Sequence, residues 1–164
     1  MPDLTYHPLL FTFRDTVSGD GFLGGITLSG RALMQEEDGK WWVYGVRPGA
    51  LAESGDTPQE AFSHFRNRYK EVLFDIAQEE RTFEAFKQEV ERLFYEPDEE
   101  EERRWEDALV LVRSCKGTPP EPFSSLPREQ PEKRPSAITV ERLDRQGKRF
   151  TPSDNVPDLL AKAA

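Results

Sequence analysis

Residues 57–60, Thr-Pro-Gln-Glu, constrain this chain more than any other four residues in it. Thr57 offers an N-cap oxygen, Pro58 suits the first helical position, and Glu60 completes the spacing of a capping box. Behind them Phe62, Phe65, Tyr69, Val72, Leu73 and Ile76 recur every three or four residues. That spacing predicts an amphipathic helix of about five turns, ending near residue 77. Its apolar stripe has to be buried against another layer.

The residues before it supply that layer. Stretches 9–14 and 26–34 alternate as strands do, and in the second Ile26, Leu28, Ala32 and Met34 share one face while Thr27, Ser29 and Arg31 share the other. Asp38-Gly39 is a hairpin signal, because both turn positions tolerate positive φ. The returning strand, 40–46, puts Trp42, Tyr44 and Val46 on one face and Trp41 and Val43 on the other. Arg47-Pro48-Gly49-Ala50 reads as a turn, and residues 50–54 as a short edge strand. The expected fold class is α+β, a small antiparallel meander sheet with a long helix packed on it.

Beyond residue 80 the pattern is helical again. Residues 82–95 carry the stripe Phe83, Phe86, Val90, Leu93 and Phe94, and Pro97 ends it. Residues 98–117 read as a third helix, with Trp105, Ala108, Leu109 and Val112 as its apolar side and Gly117 as its cap. The acidic run at its head suits the helix dipole and reads as a solvated face. Stretch 117–135 holds six of the thirteen prolines, too many for a helix or central strand, and is expected to be extended. Residues 136–143 return to a strand pattern through Ile138 and Val140. The expected organisation is one α+β domain over 1–146, with a two-helix insertion at 80–116 and a Pro-rich connection at 117–135. Residues 147–164 form a C-terminal tail whose apolar residues are Phe150, Val156, Leu159 and Leu160.

Composition narrows the chemistry. The single cysteine, Cys115, has no partner within the chain, and with only His7 and His64 there is no zinc-ligand cluster. No segment approaches the roughly 18 apolar residues of a membrane helix, so a soluble, cytoplasmic protein with no membrane contact is expected. The formal charge of −9 repels nucleic acid and favours a basic protein partner. Residues 19–24, Gly-Asp-Gly-Phe-Leu-Gly, match a dinucleotide fingerprint in letters, but a strand pattern follows where the fingerprint needs a helix. They read as a glycine-rich strand connection or bulge. His64 falls on the polar side of the first helix, and no nucleophile spacing or strand-borne carboxylate cluster stands out. No catalytic residue, cofactor or metal is expected. Trp41 and Trp42 face opposite ways, so one helix covers only one of them. Either a later helix covers the second, or it is an aromatic anchor for a partner.

Residues 31–77 as a block resemble the HicB-like antitoxin domain. Gly55, Asp56, Thr57, Glu60 and Ala61 match that family's Gly-Asp-Thr-x-x-Glu-Ala helix opening, and Pro48-Gly49 stands at its preceding turn with a shorter spacing. Residues 118–143 are similar to its closing Pro-rich segment and strand. The resemblance implies a partial ribonuclease H-like fold without the nuclease carboxylates. It also implies a protein-binding role, in which the chain masks a small basic HicA-like RNA-cleaving toxin. The insertion at 80–116 departs from the family pattern. The tail lacks the family's frequent DNA-binding module, which argues against direct operator binding. An autorepressor would instead depend on a basic patch such as Arg142, Arg145, Lys148 and Arg149. A homo-oligomer is compatible with either role. Partner contact is expected through Trp41, Trp42 and Tyr44 on the sheet, with Phe150, Val156, Leu159 and Leu160 in the tail.

Overall fold

Two long strands, β1 (His7–Gly19) and β2 (Phe22–Glu37), pair antiparallel over their length in the computed structural model, which describes residues 5–114, 119–125, 130–144 and 162–163. Asp38 and Gly39, at φ 52° and 79°, turn the chain into β3 (Lys40–Arg47), as their sequence demands. A second turn, through Ala50 at φ 60°, leads to the edge strand β4 (Ala52–Gly55). β3 pairs with β2 only from Arg31 to Glu37, and a register shift falls between Arg31 and Ala32. Beyond it the same edge of β2, Gly24 to Ser29, is taken by β5 (Ala137–Arg142). On the other side Lys162–Ala163 form β6, pairing with Leu10 and Leu9 of β1. The expected α+β class with an antiparallel meander is what the chain adopts.

Strand alternation divides the core in two. Leu9, Phe11, Phe13, Val17, Ile26, Leu28, Ala32, Met34 and Val43 point to one face and build the larger core. The helix α1 (Pro58–Glu79) lays Phe62, Phe65, Tyr69 and Leu73 on that face, and α2 (Phe83–Tyr95) adds Phe86, Val90 and Phe94. Phe11 meets the edges of Phe62 and Phe65 at 5.9 and 5.6 Å, and Phe13 meets Tyr69 at 4.9 Å. Leu10, Leu33 and Val46 point the other way, where α3 (Glu99–Arg113) closes a smaller core with Trp105, Ala108 and Leu109. No described helix is long and apolar enough to cross a membrane.

Several local expectations are corrected. β1 and β2 run well past 9–14 and 26–34, while residues 19–24 are the glycine-rich strand connection expected of them. Asp20-Gly21 is the β1–β2 hairpin turn, with Gly21 at φ 76°. A Cβ on Gly19 would overlap the Phe22 ring, and one on Gly24 would come within 2.9 Å of Phe86. Those positions accept aromatic rings, and a strand rather than a helix follows them. The capping box is half formed: Thr57 Oγ1 accepts from Glu60 N at 3.1 Å, without a return bond from the Glu60 side chain. α3 ends at Arg113, where the Ser114 hydroxyl donates to Val110 O at 2.9 Å; Gly117 lies outside the described residues. The Pro-rich connection is not extended throughout. Phe123–Ser125 and Pro131–Lys133 are 3₁₀ turns, a geometry that proline's fixed φ fits as well as an extended one. Phe123, 2% exposed, packs into the larger core 6.0 Å from Phe62.

Candidate functional site

The aromatic strand β3 sends its two adjacent tryptophans to different fates. Trp41 turns to the α1 face, packs against the larger core and lies 6.5 Å from the His7 ring. Trp42 turns to the α3 face, but α3 reaches only as far as Tyr44, so Trp42 belongs to neither core. A later helix does cover the second face, and it stops one rung short.

On that face three rings form a ladder. Trp42 stacks on Tyr44 with centroids 6.1 Å apart and planes 17° from parallel, and Tyr44 meets Tyr6 at 6.4 Å in an edge contact. All three are half-buried. Beneath Trp42, its cross-strand neighbour Gln35 is 2% exposed and its Nε2 has no hydrogen-bond acceptor. α3 frames the far end. Its N-cap Asp98 accepts from Glu101 N, and Arg104 forms ion pairs with Glu100 and, at 2.6 Å, with Glu101. The Arg104 guanidinium lies 5.7 Å from the centre of the Tyr6 ring.

Charges of both signs act on this ladder. Burial raises the Tyr44 phenol above its usual pKa, and the nearby Glu37 and Glu101 carboxylates add to the shift against the opposing Arg104. Glu101 itself titrates above the ordinary carboxylate range, chiefly because it is desolvated, and its Oε2 has no donor. The acidic run at the head of α3 is therefore not simply a solvated face. Glu99 and Glu100 are exposed, Glu102 pairs with Arg47 at 3.2 Å, and Glu101 is buried to 9% exposure. The spacing Glu101, Trp105, Ala108 places that carboxylate on the apolar stripe, and that was the sequence signal for it.

Other candidate residues scatter. His64 is exposed and its Nδ1 donates to Ser54 O at 2.7 Å, tying α1 to β4. Arg66, on α1, is buried to 9% exposure, donates to Thr12 O at 2.7 Å and lies over Phe13 and Phe62. Among the described residues no three His, Cys, Asp or Glu side chains gather as a cation site would need. Phe150, Val156, Leu159 and Leu160 lie outside the described residues, as do Arg145, Lys148 and Arg149. Of the expected contact residues, the fold brings Trp42 and Tyr44 together and sends Trp41 to the opposite face. No known protein family, characterised protein or solved structure matches the chain.

Proposed function

We propose that the chain is a non-catalytic protein-binding module that acts as an antitoxin, masking a small basic RNA-cleaving protein, as its resemblance to the HicB-like antitoxin domain implies. The observation that carries this reading is Trp42. A tryptophan stacked on a tyrosine, outside both cores and beside carboxylates, is the type of residue that anchors protein interfaces. The acidic chain adds long-range attraction for a basic partner and repels RNA or DNA approaching without one. The residues of the family motif have local work that suits any partner: Thr57 caps α1, Ala61 is fully buried, and Gly55 lets the backbone of Ala61 pass close to β4.

Co-expression tests the reading. The short reading frames flanking the gene are expressed alone and together with this chain. One of them is expected to encode a basic product that arrests growth, and the chain is expected to restore growth and co-purify with it. Arrest that persists despite co-expression, or flanking products that are all harmless, contradicts the proposal.

A further inference from the structure

We infer that the Trp42–Tyr44 rung is a receptor for an arginine side chain of a partner protein. The inference rests on the protein-binding reading above and specifies the chemistry of its contact.

The chain itself shows the occupant's chemistry one rung away. At Tyr6, the Arg104 guanidinium sits over the aromatic face while Glu100 and Glu101 hold its nitrogens. Elsewhere the fold repeats the pairing, with Arg31 5.4 Å from the Trp105 ring and Arg142 6.0 Å from Phe83. At Trp42 the same parts are present. Two nearly parallel, half-buried rings stack there. Glu37, exposed and on the same side of β2 as Gln35, supplies the carboxylate, and its charge reaches the Tyr44 hydroxyl. Among the described residues no guanidinium or ammonium lies over either ring; Lys40, two residues from Trp42 on the same face, makes no such contact. A planar guanidinium stacks on an aromatic face and donates to a carboxylate at the same time, which an ammonium does less well. Arginine is therefore the cation the rung selects. The charge around it is complementary: Glu37 and Glu101 act on the rung, within a chain of net charge −9.

Titration of the full chain with oligo-arginine and oligo-lysine peptides of equal length, at physiological ionic strength, tests the site. The wild-type chain is expected to bind oligo-arginine more tightly than oligo-lysine. Trp42→Ala keeps the net charge and is expected to weaken arginine binding at least about threefold. Trp42→Phe retains much of the binding and guards against a folding artefact. Glu37→Gln weakens it further than Glu36→Gln, which removes the same charge from the opposite face of β2. Equal binding of the two peptides, or a Trp42→Ala protein that binds as wild type does, overturns the inference. The two readings fail separately. Trp42-dependent arginine binding by a chain that rescues no growth arrest leaves this site standing without the antitoxin role. A captured toxin indifferent to Trp42→Ala leaves the role without this site.

Discussion

Thr57 Oγ1 accepts from the Glu60 N–H in the first turn of α1 at 3.1 Å, and no other side chain among the described residues caps that N–H. Thr57→Ala is expected to cost about 0.5–2 kcal/mol, read as a lower denaturant midpoint at unchanged m-value. An unchanged midpoint would place the helix start elsewhere. His7 offers a second residue-scale test. Burial beside Trp41 pushes its pKa below the ordinary 6.5, so the folded state favours the neutral ring. The stability this contributes is complete above the unfolded pKa and is lost as pH falls through the lower folded one. Glu101 has the opposite sign, because its raised pKa makes protonation favourable to the fold. The difference between wild type and His7→Gln isolates the histidine. Their stabilities, measured from neutral pH downward, are expected to diverge below pH 6.5 with the wild type falling more steeply. Parallel curves would mean that His7 titrates alike in both states.

At the scale of elements, α3 is the separable one. It rests on the sheet through a small core, and the interface contains buried polar atoms without partners: Arg31 Nε, Trp105 Nε1 and Glu101 Oε2. α1 and α2 share the much larger core on the other face. Trp105→Ala is expected to cost about 3–5 kcal/mol against α3 docking. In hydrogen exchange the α3 amides should lose protection while those pairing β1 with β2 keep it. Loss of protection in both at once would mean that the two cores form one cooperative unit. The elements also differ in how much of them the sequence revealed. α1 was legible because its cap and stripe are local and lie within one helix. The ends of β1 and β2 were not, since Gly19 and Gly24 look like breaks until Phe22 and Phe86 are seen to need the space. Phe123 gave no sign of its burial, because a lone aromatic among prolines has no periodicity; only the tertiary fold brings it to Phe62. The sharing of one β2 edge by β3 and β5 is likewise non-local, spanning about a hundred residues of sequence.

At the scale of the whole molecule, the two sheet faces have different roles. One carries α1 and α2 and most of the core; the other carries α3, the aromatic ladder and the carboxylates that act on it. The adjacent tryptophans split between them. Net charge sets a further expectation: the chain alone should not shift its own upstream DNA in a gel at physiological salt. Sequence-specific nanomolar binding there would favour the autorepressor instead. Whether this chain neutralises a basic RNA-cleaving partner by binding it, as proposed, is read by titrating the purified chain into that partner's RNA-cleavage reaction. Cleavage is expected to fall to background at a fixed stoichiometric ratio, and Trp42→Ala to require a larger excess. Cleavage that continues undiminished at saturating wild-type chain would contradict it.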